Sequence, residues 1–170
     1  IRIFSCAPVV QPGQRFRLLR AKTRVQISAG AVYMKTEKAT FAMGCFWHPQ
    51  DVFDKIKGVV LTEVGFMGGD ESYKDLSYEK VCSGTTGHAE VVQINFNPEI
   101  VSYEKLLKIF WKEHDPTTMS RQGPDIGDQY RPVIFYHNEK QKGLAEKSKN
   151  EQKKNFKNKI VTEIKKAGKF

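Results

Sequence analysis

Two residues of this chain combine a reactive type with a setting that would make it count. Gly44-Cys45 falls at the junction of a predicted strand and a predicted helix. A cysteine at a helix start meets the positive end of the helix dipole and backbone N–H groups without partners inside the helix, and both favour thiolate over thiol. An ordinary thiol, with a pKa of about 8.5, is mostly protonated at neutral pH, so this placement bears directly on nucleophilicity. Catalysis and inert burial are both open for such a residue. Glu90 lies in a run where strand alternation puts it on the same side as Val92, Ile94 and Phe96. A carboxyl on an apolar face is desolvated, which raises its pKa and can hold it protonated near neutral pH as a proton donor. The alternative for Glu90 is a buried carboxylate paired with Arg131 or His88.

The elements that must position these two residues can be read from periodicity and punctuation. Residues 38–43 read as a strand, Gly44 as a turn, and residues 46–57 as a helix with Pro49 in its first turn and Gly58 at its end. Residues 59–66 are a second strand closed by Gly68 and Gly69, and residues 89–96 a third closed by Asn97-Pro98. Ser102 can cap a helix running to about His114, because Tyr103, Leu106, Leu107, Phe110, Trp111 and His114 recur at helical spacing. A strand over 131–136, a lysine-rich helix and a last short strand over 160–164 complete the order. The β-α-β-β-α-β succession predicts an α+β fold with a ferredoxin-like split β-α-β core, added loops and a C-terminal helix. Residues 115–130 show no regular pattern, carry Pro116, Gly123, Pro124 and Gly127, and are long for a connection. Such loops are often functional.

Composition bounds the rest. With 170 residues, 39% hydrophobic and 28% charged, the chain suits one globular domain, and no apolar run approaches the ~20 residues of a membrane-crossing helix. The net charge of +9 is concentrated at the ends. Residues 1–33 hold six basic residues and no acidic one, leaving 22 basic against 19 acidic from Met34 onward. That acid-free stretch reads as a basic leader, a transit segment or a disordered arm, with Met34 as an alternative start and 34–170 as the catalytic domain. Residues 139–170 carry eleven lysines against four glutamates, read as a solvated lysine face. Cys6, Cys45 and Cys82 make an odd count without a CxxC pair, which disfavours a disulfide framework or a zinc ribbon and points to a reducing, cytoplasmic compartment, or an organelle if residues 1–33 are a targeting remnant.

Four ordered motifs sharpen the reading: Gly44-Cys45-Phe46-Trp47; Val81-Cys82-Ser83-Gly84 leading into Thr86-Gly87-His88-Ala89-Glu90; His114-Asp115-Pro116-Thr117; and Gly123-Pro124-Asp125-Ile126-Gly127 leading to Gln129-Tyr130-Arg131. Over residues 38–164 the chain resembles the A-type peptide-methionine sulfoxide reductase family. The resemblance implies that Cys45 is the nucleophile and that Phe46 and Trp47 receive the methyl group of the sulfoxide. It implies that Glu90 protonates the sulfoxide oxygen, assisted by the hydroxyls of Tyr78 and Tyr130, while Asp125 and its loop shape the site. It further implies the S epimer as substrate, free or in oxidised proteins, a sulfenic acid on Cys45, and thioredoxin or another thiol as reductant. No cofactor, metal, membrane or nucleic acid is expected to take part, and the protein is expected to be a monomer. Family members usually carry Glu where this chain has Gln50, and commonly continue beyond the position of Phe170.

Rival readings start from the same residues. Cys45, Cys82, His48 and His88 could ligate zinc or iron but lack the short paired spacings of structural sites. The basic ends and aromatics would suit a nucleic-acid binder, yet Phe110 and Trp111 belong to a helix core stripe. His48 beside Cys45, or His114 with Asp115, would suit a protease; no oxyanion motif accompanies them.

Overall fold

The computed structural model describes residues 35–73 and 75–170. The expectations for residues 1–33 and Cys6 fall outside the described residues. A five-stranded sheet is built from β1 (Glu37–Ala42), β2 (Val59–Met67), β3 (Ala89–Phe96), β6 (Val133–Tyr136) and β7 (Glu163–Lys166) in the order β2-β3-β1-β6-β7. A hairpin, β4 (Arg121–Gln122) and β5 (Asp125–Ile126), stands apart from it. The helices are α1 (Trp47–Asp54), α2 (Tyr78–Cys82), α3 (Tyr103–Lys112) and α4 (Glu139–Gln152).

β1 pairs antiparallel with both β3 and β6, and β2 pairs antiparallel with β3. That is the arrangement expected of the split β-α-β core, to which β7 adds a parallel edge strand beside β6. Strand alternation gives the sheet two apolar faces. One carries Ala39, Phe41, Val92, Ile94 and Phe96 against Phe53 and the α3 stripe of Leu106, Leu107 and Phe110. Phe41 lies at its centre, its ring 5.7 Å from that of Phe53 and 5.2 Å from that of Phe110. Each fully buried phenylalanine contributes about 1.5 to 3 kcal/mol of transfer free energy. The opposite face buries a smaller set, Ala42, Met67, Ala89, Val91, Val133 and Phe135.

Caps set the helix starts. Ser102 accepts from Lys105 N–H at 3.2 Å and Asn138 from Gln141 N–H at 2.9 Å, satisfying first-turn donors. The Trp111 indole donates to Ser148 Oγ at 3.1 Å, joining α3 to α4.

Four local expectations need correction. α1 ends three residues early, at Asp54, because the chain must turn through Gly58, whose φ of +102° and contact with Val101 and Ile100 admit no side chain. A short helix, α2, stands where only a connection was expected, started by Ser77 accepting from Lys80 N–H at 3.3 Å. The patternless loop folds back as a hairpin because Gly123, with φ +56°, supplies the positive dihedral a two-residue turn requires. The last strand is displaced to 163–166: Val161 N–H donates to Pro116 O at 2.9 Å and Lys149 donates to Thr162 O at 2.5 Å, so this stretch serves other partners before the ladder begins at Glu163.

Candidate active site

β1 delivers the backbone to Gly44, where φ is +89°. A Cβ at this position would stand 2.6 Å from Cγ of Gln122, so the absence of a side chain lets the turn close against the 115–127 loop. Gln122 is itself held, accepting from Asp115 N–H at 3.0 Å and donating to Asp115 O at 3.2 Å. Cys45 follows in this turn as a partly buried thiol. α1 begins two residues on, with Phe46 at its cap, so Cys45 immediately precedes the helix instead of occupying its first turn.

No side chain of the local sequence caps α1. The donor at its cap is taken instead by a residue near the N-terminal end of β3: Phe46 N–H donates to Oε2 of Glu90 at 3.1 Å. Glu90 is 1% exposed and lies on the helix-covered face, as alternation along β3 requires. Burial pushes its pKa up to about 7, opposed by the Phe46 hydrogen bond and reinforced by the charge of Asp125. Its second oxygen, Oε1, is buried and has no hydrogen-bond partner among the described residues.

Both alternative partners for Glu90 are committed elsewhere. Arg131 donates to the carbonyls of Asp128 at 2.9 Å, Gly87 at 2.8 Å and Gly68 at 3.5 Å, and pairs with Glu163 at 3.3 Å. The His88 ring meets Thr86 O at 3.1 Å, and desolvation lowers its pKa. Glu90 is therefore a desolvated acid held by a backbone amide, with no cation hydrogen-bonded or ion-paired to it among the described residues.

The remaining expected residues take the following places. Phe46 is buried and meets Trp47 edge-on, ring centroids 5.5 Å apart at 89°. Trp47 is 46% exposed and Tyr78, the first residue of α2, is 40% exposed, so aromatic surface remains open to a ligand. Asp125 sits on β5, half-buried, within electrostatic reach of Glu90. Tyr130 is buried and closes a 3-10 turn (Asp128–Tyr130) that lies against β3, the strand of Glu90.

Sequence reasoning passed over three residues here. Phe66 stands opposite Glu90 in the β2–β3 ladder and its ring lies 5.9 Å from that of Phe46, extending the aromatic surface. Its place at the end of an apolar run before two glycines was the available signal. Gln122 supports the Gly44 turn, and nothing local announced it. Arg131 was considered only as a partner for Glu90, whereas it gathers the backbone of three loops.

The other histidines and cysteine lie in ordinary surroundings. His48 is exposed and 3.7 Å from Glu113. His114 meets Phe110 O at 2.5 Å, packs on the Phe110 ring, and is pushed down to about 4 by burial. Cys82 ends α2, partly buried. Among the described residues no group of three or more His, Cys, Asp or Glu is placed to hold a metal ion, and no helix is long and apolar enough to cross a membrane.

This arrangement, a thiol beside a buried protonatable carboxyl and an aromatic wall, can attack an electrophilic sulfur and protonate what leaves it. Comparison with known proteins points the same way. The model of the peptide methionine sulfoxide reductase family matches residues 37–170. The peptide methionine sulfoxide reductase MsrA of Methanosarcina acetivorans is 58% identical over 130 residues, covering 75% of this chain and 68% of that one. The MsrA of Methanothermobacter thermautotrophicus is 53% identical over 136 residues, covering 79% of each. Among solved structures, reduced Mxr1 from Saccharomyces cerevisiae superposes with a TM-score of 0.77 at 38% identity, covering 80% of this chain and 78% of that one. Mxr1 in complex with Trx2 superposes with a TM-score of 0.60 at 26% identity, covering 80% and 79%. The chain belongs to the peptide methionine sulfoxide reductase family.

Proposed function

We propose that this chain reduces the S epimer of methionine sulfoxide, free or within oxidised proteins, to methionine, with Cys45 as nucleophile and Glu90 as acid. The observation that carries the reading is the Glu90 carboxyl, buried, raised to about 7 and hydrogen-bonded to the amide of the residue after Cys45. A sulfoxide oxygen is a poor leaving group until protonated, so the reaction needs a neutral acid at oxygen and a thiolate at sulfur.

Phe46 and Trp47 receive the methyl group, and the oxygen faces Glu90 with the hydroxyls of Tyr78 and Tyr130, while Asp125 and its hairpin shape the site. The Cys45 thiolate attacks sulfur, the oxygen takes two protons and departs as water, and a sulfur–sulfur bond links enzyme to substrate. Water then attacks Cys45 sulfur, that bond breaks with its electron pair on the substrate sulfur, and methionine leaves. The net change oxidises the thiol to a sulfenic acid and reduces the sulfoxide to the thioether. A thiol condenses with the sulfenic acid, releasing water, and a second thiol reduces the mixed disulfide. A thioredoxin-type dithiol fits this role, in keeping with the Trx2 complex of Mxr1. Residues 34–170 form the catalytic domain, acting as a monomer in a reducing, cytoplasmic setting.

The test is to incubate the protein with each sulfoxide epimer and dithiothreitol and follow methionine. Turnover of the S epimer alone, lost in Cys45→Ser, is expected. Equal turnover of both epimers, or activity that survives in Cys45→Ser, would discard the reading.

A further inference from the structure

The lysine-rich end of the chain folds into more than a solvated face. Past α4 the backbone makes a 3-10 turn (Lys153–Asn155) and runs on to Ile160, which is anchored in the core. Around this bend lies a cavity of about 400 Å³ whose walls carry Lys149, Lys153, Lys157 and Lys159, with Phe156 and Ile160 between them. That volume falls within the range of small-ligand sites, roughly 300 to 1,000 Å³.

Like charges gathered in a concavity repel one another. Among the described residues none of the four lysines has an ion-pair partner, although Lys55, Lys112, Lys142 and Lys165 each do. Glu163, the acid that acts on Lys149, is already engaged by Arg131 and Lys165. Lys149 is not free to swing away, since its amine donates to Thr162 O at 2.5 Å. Burial and the nearby charges of Lys153 and Lys159 lower its pKa, a repulsion that an anion would relieve.

We propose that this groove is an anion site for a chain of two or more linked phosphates, supplied either by a nucleotide or by inorganic polyphosphate. Four point charges around one cavity suit several phosphates better than a single carboxylate. The site is concave and of small-molecule size, unlike the extended basic stripe that tracks a nucleic-acid backbone. Phe156 offers an apolar face at the wall, on which the base of a nucleotide would stack.

Calorimetry of the full chain with tripolyphosphate, ATP and orthophosphate at physiological salt tests this. Saturable one-to-one binding of tripolyphosphate is expected, well above that of orthophosphate. In Lys153→Gln/Lys157→Gln/Lys159→Gln the affinity should fall at least about tenfold, with reduction of free methionine sulfoxide unchanged. Lys57→Gln/Lys105→Gln/Lys108→Gln, which removes the same charge elsewhere, should leave binding intact. ATP binding more tightly than tripolyphosphate assigns a nucleotide; equal binding assigns the phosphate chain alone. Absence of tripolyphosphate binding, equal loss in both triple variants, or binding of single-stranded RNA without saturable tripolyphosphate binding would each overturn the proposal.

Discussion

The amide of Phe46 and the carboxyl of Glu90, 44 residues apart in sequence, are joined by a 3.1 Å hydrogen bond. It couples the start of α1 to the N-terminal end of β3, and so couples the backbone beside the thiol to the acid. One oxygen of Glu90 is thereby oriented by the protein, while the other has no hydrogen-bond partner among the described residues. A neutral carboxyl in this pose can accept from Phe46 and donate to a substrate oxygen at once.

Glu90→Gln keeps the shape and the Phe46 hydrogen bond but cannot give up a proton. Single-turnover reduction of the S sulfoxide is expected to fall by about 10² to 10⁴. In the parent the rate should decline as pH rises through about 7, where Glu90 ionises. An unchanged single-turnover rate across pH in the variant would remove Glu90 from the role of acid.

The same group makes folding stability depend on pH in an unusual direction. Below the ordinary value of 4.5 Glu90 is protonated in both folded and unfolded chains; between 4.5 and about 7 only the unfolded chain releases the proton, so stability falls as pH rises. The loss is about 3 kcal/mol and complete above that window. His114 works oppositely: held at about 4 against an ordinary 6.5, it costs stability as pH falls between these values. The difference between parent and Glu90→Gln cancels the histidine. Urea unfolding should show the variant gaining on the parent from pH 4.5 to 7, whereas a difference flat in pH would mean that Glu90 is charged throughout.

Regeneration of Cys45 can be followed by counting thiols. One equivalent of methionine sulfoxide without reductant is expected to consume one thiol and leave a sulfenic acid on Cys45, trappable by a dimedone-type reagent, because resolution comes from an external thiol. Loss of two thiols with a Cys45 to Cys82 disulfide, mapped by mass spectrometry, would instead establish internal resolution.

Arg131 is buried and supplies hydrogen bonds to three loop carbonyls and an ion pair to β7. Arg131→Met leaves those buried carbonyls without their donor and Glu163 with Lys165 as its remaining partner, a loss of about 3 kcal/mol in stability. Thermal unfolding measures it. If the loops it gathers also position substrate, KM should rise in variant protein that is still folded; Arg131→Lys, which cannot reproduce the fork of donors, should recover little.

Local regularities explain what could be read in advance. A period of two in Ala89–Phe96 places Glu90 among Val92, Ile94 and Phe96 because successive strand side chains alternate, whatever the sheet's neighbours. A 3.6-residue stripe and a serine at the cap position define α3 for the same reason, and four motifs in order name the family. What Glu90 bonds to was beyond such reading. Arg131 and His88 were plausible on charge alone, yet packing turned each toward backbone carbonyls and brought Phe46 N–H to the acid instead. The Gly123 turn, the support of Gly44 by Gln122, and the late start of β7 likewise depend on which distant groups supply hydrogen bonds. Periodicity determines the side of an element on which a residue stands; only the tertiary structure decides what meets it there, because buried polar groups must be satisfied by whatever the packed chain brings within reach.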